Sequence, residues 1–306
     1  MISFLKLIRY KNLLMVLLTL VLTKYAIINS FTSSTSNFQF ILISISILCI
    51  TASGYIINDI FDIKADKINK PTKVYIGKTI SKKNGLYTYL LLSAIGLFLG
   101  IYISMRKENI SLSFFFIISV LLLYIYSKSL KKIAVIGNFI IALLTALSIF
   151  IVFIFEVKNS NSPSNISEVI ANFFSSFSVT TSVIIYIIFA FFMTFIREII
   201  KDIEDINGDY ALKMKTLPIL IGINRTKNIV IIISSLVFLF ILMLLKEELL
   251  NIPLLFWYAI IFIILPFIWF FYKLFKAKKP KDFHVPSNII KVIMFFGILS
   301  MLLIKL

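Results

Sequence analysis

Long apolar stretches separated by short polar segments make up most of this chain. Apolar runs of about 17–25 residues are long enough to cross a bilayer as helices. Nine such runs predict nine transmembrane helices, at about 12–30, 38–57, 86–104, 111–127, 133–155, 178–196, 228–245, 253–272 and 287–304. Since no polar segment is long enough for a separate soluble domain, we expect residues 1–306 to form one all-α, polytopic membrane domain.

The composition agrees with that prediction. Of the 306 residues, 60% are hydrophobic and only 15% are charged, whereas a soluble domain of this length needs a more charged surface. The longest predicted outer connection, about 156–177, is rich in Ser and Asn and is expected to be a loop with a short interfacial helix. The single histidine, His284, lies in a lysine-rich connection and is interpreted as a solvated surface residue rather than a catalytic one.

The basic residues are unevenly distributed between the predicted sides of the membrane. The net charge of +17 would suggest nucleic-acid binding in a soluble protein. With a cytoplasmic N-terminus, however, 25 of the 31 Lys and Arg residues fall on the inner side, as the positive-inside rule requires. We therefore expect a cell (inner) membrane protein with a cytoplasmic N-terminus, whose basic residues face anionic membrane lipid. No nucleic-acid partner is expected.

The aspartates are concentrated in two short segments with the same spacing, D-x-x-D-x-x-x-D. Six of the seven aspartates belong to them: motif 1 is Asp59, Asp62 and Asp66, and motif 2 is Asp202, Asp205 and Asp209. On a helix, these positions lie within about 60° of one another, so each motif is expected to present three carboxylates on one face. Both motifs fall on the predicted inner side.

Three neighbouring carboxylates repel one another, and a multivalent cation relieves that repulsion. Ligands that are all oxygen favour Mg²⁺, or Mn²⁺, over zinc, and Mg²⁺ completes its shell with water and phosphate oxygens. Two such clusters facing each other would hold metal ions on either side of a diphosphate. Nearby cations could neutralise the charge that develops on a leaving diphosphate; they are Lys67, Lys70, Lys73, Lys128, Lys131, Lys132, Arg197, Lys201, Lys213 and Lys215.

Two other interpretations of the acids are possible. They could simply solvate a lysine-rich loop, but the repeated spacing does not favour that. They could also mark the ion path of a cation-coupled transporter. Transporters usually place such acids in the middle of a span, whereas both motifs lie at the predicted inner ends of helices.

Three segments of the chain resemble the UbiA superfamily of intramembrane prenyltransferases. They are GYIINDIFDIKADKINKP (54–71), YSKSLKK (126–132) with the following Gly137-Asn138, and REIIKDIEDINGD with KTLP (197–218). Arg9 and Asn12 also fit the family's early Arg…Asn pattern. The amino-acid sequence of these segments is most similar to that of the branch that prenylates geranylgeranylglyceryl phosphate. Lys73-Val74 and Tyr210 depart from the family pattern, which has Arg-Pro and Arg there, so fine substrate details stay open.

The resemblance implies a bundle of about nine helices around a central cavity with a cytoplasmic cap. It also implies Mg²⁺-dependent transfer from a polyprenyl diphosphate, here geranylgeranyl diphosphate, to a lipophilic acceptor in ether-lipid synthesis. Aromatic acceptors of menaquinone, ubiquinone or chlorophyll-type biosynthesis are the alternative, and neither acceptor nor chain length is fixed. The six motif aspartates would be the catalytic and metal-binding residues. Substrate-binding residues would be Asn58, Lys128, Lys131, Lys201 and Lys215, with Arg9 and Tyr126 as further candidates.

Overall fold

The computed structural model describes residues 2–28, 35–156, 177–248 and 253–303. In these ranges the regular structure is helical and no strand is formed, so the predicted all-α class is confirmed. The helices are α1 (Ile2–Leu7), α2 (Tyr10–Leu22), α3 (Asn37–Asn69), α4 (Lys82–Arg106), α5 (Ser113–Lys128), α6 (Ile136–Glu156), α7 (Phe177–Glu204), α8 (Ile206–Ala211), α9 (Leu217–Ile221), α10 (Ile223–Glu248), α11 (Pro253–Ala259), α12 (Leu265–Lys276) and α13 (His284–Leu299). The predicted outer loop with its interfacial helix lies outside the described residues.

Nine helical stretches in the described ranges are long and apolar enough to cross a membrane, which confirms the nine predicted spans. The chain is therefore a multi-pass membrane protein. Two spans contain a π-helical turn: Thr23–Ile27 follows α2, and Ile260–Ile264 joins α11 to α12. The helices run further than the apolar runs predict. In particular, α3 and α7 continue into the polar segments that contain the aspartate motifs.

The chain divides into two compact units. The first comprises Met1–Leu130 and Leu147–Ile185, and the second comprises Lys131–Ala146 and Tyr186–Leu306. Motif 1 belongs to the first unit and motif 2 to the second.

In the first unit, α3 packs closely along α4 at a glycine. The Ser46 hydroxyl donates a hydrogen bond to the carbonyl of Gly96 at 2.6 Å. A Cβ atom at Gly96 would come within 2.6 Å of Ile50 Cγ1 and 3.1 Å of the Ser46 carbonyl oxygen. Small residues permit this approach, because helices in lipid associate through close packing and interhelical hydrogen bonds.

A small apolar cluster fixes the rotation of α3 at motif 1. Ile56, Ile57 and Ile60 of α3 are buried, and they pack in one cluster with Leu7 of α1 and Tyr89 of α4. These contacts hold one side of α3. Asp59, which follows directly after Ile57 and Asn58, keeps 13% of its side chain exposed.

A buried ion pair lies near the opposite end of α3 from motif 1. Lys24 Nζ is 2.9 Å from the Glu156 carboxylate, and these side chains are only 1% and 0% exposed. The Thr35 hydroxyl also donates to Glu156, and Lys24 donates to the Thr35 carbonyl at 3.2 Å. Burial lowers the pKa of the neighbouring Lys107 below its usual value, against the opposing effect of the Glu156 charge.

In the second unit, α7 is buried along its isoleucines. Ile196, Ile199, Ile200 and Ile203 are each at most 1% exposed and belong to one apolar cluster with residues of α10, α12 and α13. The packed face ends one residue before Glu204. The end of α7 is therefore held in place just where motif 2 begins.

Candidate functional site

Motif 1 lies entirely on one helix, as predicted. Asp59, Asp62 and Asp66 fall in α3, which ends at Asn69. The Lys70 N–H still bonds to the Asp66 carbonyl at 2.8 Å, and Pro71 follows at once. Proline lacks an N–H and disfavours helical backbone in the residue before it, so the helix stops there.

Arg9 reaches from the N-terminal segment to the first aspartate of motif 1. Its guanidinium donates to Asp59 Oδ1 at 2.9 Å and lies 4.8 Å from the centre of the Tyr55 ring. Arg9 separates α1 from α2 and has φ 52° and ψ 54°, a left-handed conformation that is uncommon for a residue with a Cβ. A strained backbone conformation persists when contacts with the surrounding structure hold it, and the ion pair with Asp59 is one such contact of Arg9.

Two asparagines flank this ion pair. Asn12 Nδ2 donates to the Tyr55 hydroxyl at 3.4 Å, which places the early Arg…Asn pattern beside α3. Asn58 Oδ1 is buried without a hydrogen-bond partner among the described residues. A buried acceptor left unsatisfied costs about 1–3 kcal/mol. Its location next to Asp59 therefore suits a cation or a metal-bound water.

The C-terminal end of α5 lies beside motif 1. The Phe61 ring on α3 meets the Tyr124 ring on α5 edge to face, with 6.2 Å between their centres. Lys128 Nζ is 5.8 Å from the centre of that Tyr124 ring. Tyr126 is half-buried and Lys128 is exposed. The structure thus places these two predicted substrate-binding residues at the same end of the first unit as motif 1.

Motif 2 does not lie on one continuous helix, so that part of the geometric prediction is wrong. Asp202 is in α7, which ends at Glu204, and Asp209 is in α8. Asp205 lies at the junction with φ −94° and ψ 6°. Asn207 and Gly208 have low helix propensity, which accounts for the interruption. The Asp209 N–H still points to the Asp205 carbonyl, 3.3 Å away.

Asp202 is held by a residue that sequence reasoning did not assign to the site. Asn138 Nδ2, on α6, donates to Asp202 Oδ2 at 2.8 Å, and Asn138 is only 6% exposed. The available signal was the Gly137-Asn138 pair, which contributed only to the family resemblance. A buried amide that binds a motif carboxylate restricts the position of that carboxylate.

The lysines proposed to bind diphosphate have different surroundings in the second unit. Lys201 Nζ donates to Glu198 at 2.7 Å, and Arg197 donates to the same oxygen at 3.2 Å. Glu198 was not singled out in the sequence, yet it partly neutralises both cations. By contrast, the Lys215 N–H bonds to the Lys132 carbonyl at 2.8 Å, which brings the exposed Lys215 next to the segment that contains Lys131.

His284 also has a partner in motif 2. Its Nδ1 lies 2.8 Å from Glu204 Oε1, and the side chains are 54% and 18% exposed. The interpretation of His284 as merely solvated is therefore incomplete. It is a surface residue, but it bonds to an acid between two motif aspartates.

The oxygen donors around the motifs fit a hard cation that is coordinated partly by the protein and partly by a bound substrate. Within the described ranges, three or more His, Cys, Asp or Glu side chains never come close enough together to hold a metal ion. The compact three-carboxylate clusters predicted for each motif are thus not formed. Mg²⁺ commonly takes only one or two carboxylates and completes its shell with water and phosphate oxygens. The oxygen-only donor set is compatible with that chemistry.

Comparison with known proteins decides the family. The model of the UbiA prenyltransferase family matches residues 13–298, which is nearly the whole chain. The chain belongs to the UbiA prenyltransferase family. The superfamily resemblance of the three motif segments is confirmed.

Several digeranylgeranylglyceryl phosphate synthases are similar to this UbiA family member. The protein of Sulfurisphaera tokodaii is 35% identical over 189 residues, 61% of this chain and 59% of that protein. The protein of Methanosarcina mazei is 30% identical over 232 residues, 73% of this chain and 72% of that protein. The aligned region therefore spans less than two thirds of the Sulfurisphaera protein.

Solved structures support the fold. A structure concerning digeranylgeranylglyceryl phosphate synthase in membranes has a TM-score of 0.65 and 26% identity, and the match covers 99% of this chain and 98% of that chain. A UbiA homologue from Archaeoglobus fulgidus, bound to DMAPP and Mg²⁺, has a TM-score of 0.62 and 16% identity, with 97% and 99% of the two chains covered. At that lower identity, the likeness shows the fold alone.

Proposed function

We propose that this UbiA family member is an Mg²⁺-dependent prenyltransferase. It transfers a geranylgeranyl group from geranylgeranyl diphosphate to an acceptor of the geranylgeranylglyceryl phosphate type, in ether-lipid synthesis. The observation that carries the proposal is the pair of equally spaced aspartate motifs, each located where a membrane helix enters a polar segment. The similarity to digeranylgeranylglyceryl phosphate synthases supports this choice of acceptor.

Each motif has a role in the proposal. Asp59, Asp62 and Asp66 hold Mg²⁺ and diphosphate oxygens in the first unit, together with Asn58. Asp202, Asp205 and Asp209 do the same in the second unit. The oxygen-only donors support this assignment, and a protein of the same fold, the Archaeoglobus homologue, has Mg²⁺ and DMAPP bound. Mn²⁺, which has similar ligand preferences, is expected to replace Mg²⁺.

The basic residues bind the rest of the diphosphate. Lys128, Lys131 and Lys215 neutralise its oxygens, and Lys201 contributes when its bond to Glu198 opens. Arg9 orients Asp59 through their ion pair, and Tyr126 contacts substrate beside Lys128. Lysine suits a role of point charge on a flexible stem, whereas Arg9 offers a planar fork that can hold a carboxylate in one orientation.

The reaction breaks the C1–O bond of the allylic diphosphate. Bound Mg²⁺ supplies charge that stabilises the diphosphate as it leaves. The acceptor hydroxyl oxygen bonds to C1 and gives up its proton to the diphosphate, which departs with the electrons of the broken C1–O bond. Apolar side chains of the helices hold the isoprenoid tail and exclude water, which would otherwise capture the carbocation-like carbon.

The proposal also concerns location and domain organisation. Both units belong to one prenyltransferase domain, inserted in the cell (inner) membrane with its N-terminus and both motifs on the cytoplasmic side. The excess of basic residues in the predicted inner segments supports this orientation.

The test is a product assay with purified protein, Mg²⁺ and geranylgeranyl diphosphate. Three acceptors are offered in parallel: geranylgeranylglyceryl phosphate, hydroxybenzoate and dihydroxynaphthoate. We expect the ether-lipid product, identified by mass spectrometry, and loss of product on chelation of Mg²⁺. Asp62→Asn and Asp205→Asn should each abolish it, whereas Glu108→Gln, which alters an exposed acid outside both motifs, should not.

The outcomes separate the candidate functions. A product formed only with an aromatic acceptor would show that the protein is an aromatic prenyltransferase of the quinone-forming type. The absence of diphosphate release with every acceptor, in protein that is folded and supplied with Mg²⁺, would overturn the enzymatic proposal.

A further inference from the structure

Glu204 lies within motif 2 but does not share its spacing. It is the last residue of α7 and stands between Asp202 and Asp205. Its carboxylate accepts a hydrogen bond from the His284 ring, with 2.8 Å between Nδ1 and Oε1. This contact joins the end of α7 to the first residue of α13.

The backbone that presents His284 is itself held in place. Phe283 is 0% exposed and belongs to the apolar cluster of the second unit. The Asp282 carboxylate accepts the N–H groups of Lys278 and Lys279 at 3.0 and 2.8 Å, which stabilises the turn Pro280–Phe283. His284 is therefore an exposed ring on a fixed support.

The two contacts of motif 2 lie on different sides of α7. At 100° per residue, Glu204 points about 200° around the helix axis from Asp202. Asp202 is held by Asn138 of α6, and Glu204 by His284 of α13. The helix is interrupted at the next residue, Asp205. Its N–H still bonds to the Lys201 carbonyl at 2.8 Å, but its φ of −94° and ψ of 6° leave the helical range, so the chain changes direction there.

We propose that His284 is a positioning residue for motif 2, an inference that rests on the proposed Mg²⁺–diphosphate function. By holding Glu204, it fixes the direction in which the chain leaves α7 and so the placement of Asp205 and Asp209. Its ring acts through Glu204, on the side of α7 away from Asp202, and so it is not the base that accepts the proton of the acceptor. Loss of the contact weakens metal binding more than it slows the chemical step.

The experiment compares His284→Ala with His284→Asn in the full-length chain. Asparagine keeps a side-chain N–H close to the place of Nδ1–H, whereas alanine removes it. Mn²⁺ binding is measured by electron paramagnetic resonance in chains that also contain Asp62→Asn, which removes a motif 1 ligand. Product formation is measured separately, as a function of Mg²⁺ concentration, in chains without Asp62→Asn. Lys281→Gln, an exposed change in the same turn, is the control.

We expect His284→Ala to raise the Mn²⁺ dissociation constant and the half-saturating Mg²⁺ concentration by about five- to tenfold, the effect of one hydrogen bond to a charged group in a partly exposed place. The value of kcat at saturating Mg²⁺ should stay within about twofold, and His284→Asn should restore most of the affinity. Glu204→Ala should resemble His284→Ala, and the double variant should be no worse than either, because both changes remove the same contact.

Unchanged metal affinity in both His284→Ala and Glu204→Ala would overturn the inference, as would a loss that His284→Asn does not rescue. If His284→Ala fails to fold, Glu204→Ala supplies the same comparison. A wild-type chain that binds Mn²⁺ but transfers no prenyl group would refute the proposed function alone, since the metal-binding comparison still decides the role of His284.

Discussion

At the scale of single residues, the first aspartate of each motif is held by a side chain far away in the sequence. Arg9 binds Asp59 from 50 positions away, and Asn138 binds Asp202 from 64 positions away. Each contact fixes one carboxylate without occupying all of its oxygen lone pairs. Carboxylates oriented in this way lose less conformational entropy when they bind a metal ion and a diphosphate.

Replacement of Arg9 by alanine should reduce kcat/KM about fivefold, the effect of about 1 kcal/mol for an ion pair whose arginine is more than a third exposed. Arg9→Lys should recover only part of this loss, because lysine cannot hold the carboxylate with a planar fork. The measurement is steady-state kinetics at saturating Mg²⁺. Lys6→Gln removes an exposed charge from α1 and should have no effect; a loss equal to that of Arg9→Ala would show that only charge matters.

The buried pair of Lys24 and Glu156 makes a prediction about stability. Removing one partner leaves the other charge buried without compensation, so Lys24→Met or Glu156→Leu should each lower the free energy of unfolding by about 3–5 kcal/mol. The double variant should recover most of that loss, since no uncompensated charge remains. Unfolding in detergent with increasing denaturant measures the effect, and equal additive losses in the double variant would contradict the account.

At the scale of helices, the apolar pattern was sufficient to locate the spans but not the contacts between them. In the part of the chain that the structure describes, all nine predicted spans are present, because the thickness of the membrane sets a minimum apolar length, which is a local property of the sequence. The apolar run ended the second span at about residue 57, so it did not predict that α3 continues through motif 1; only the spacing of the three aspartates indicated a helix there. The spacing of the motif 2 aspartates indicated a continuous helix and not the interruption at Asp205; the sequence signal for that interruption was the pair of weak helix formers Asn207 and Gly208.

Two of the missed site residues have a common cause. Asn138 and His284 meet motif 2 from 64 and 80 positions away. Contacts of this kind depend on how helices pack, and neither periodicity nor spacing in one sequence records them. Glu198 is different, because it contacts Arg197 and Lys201 on its own helix, and the i, i+3 spacing of Glu198 and Lys201 was a local signal. By contrast, Arg9, Tyr126 and Lys128 were already selected by their resemblance to family segments, and the structure places all three near motif 1.

The close packing of α3 on α4 gives a prediction for one glycine. Gly96→Val would force its side chain against Ile50 and the Ser46 carbonyl, and it should lower the free energy of unfolding by about 1–3 kcal/mol. Ala94→Val adds the same kind of side chain at an exposed position of the same helix and should be nearly neutral. Thermal unfolding in detergent distinguishes them; equal melting temperatures for the two variants would show that this contact is not tight.

At the scale of the whole molecule, the distribution of basic residues predicts one orientation in the membrane. The predicted inner segments contain 25 of the 31 Lys and Arg residues, and both aspartate motifs lie among them. With this predicted orientation, the proposed site for a charged prenyl diphosphate faces the cytoplasm.

Cysteine labelling tests that orientation. Cys49, the single cysteine of the chain, is first replaced by serine. One new cysteine is then introduced in place of either Lys83, at the start of α4, or Arg106, at its end. In intact cells, a membrane-impermeant maleimide should label Arg106→Cys and leave Lys83→Cys unlabelled until the membrane is opened. The reverse pattern would place the motifs on the outer side and refute the predicted topology.

The central claim is that both aspartate motifs bind a prenyl diphosphate through Mg²⁺. It is tested most directly by calorimetric titration of the purified protein with geranylgeranyl thiolodiphosphate, an analogue whose C–S bond resists cleavage. We predict Mg²⁺-dependent binding that Asp62→Asn and Asp205→Asn each weaken by at least about tenfold, as expected when a charged ligand is lost from a metal site. Equal affinity with and without Mg²⁺, or in both variants, would contradict the account.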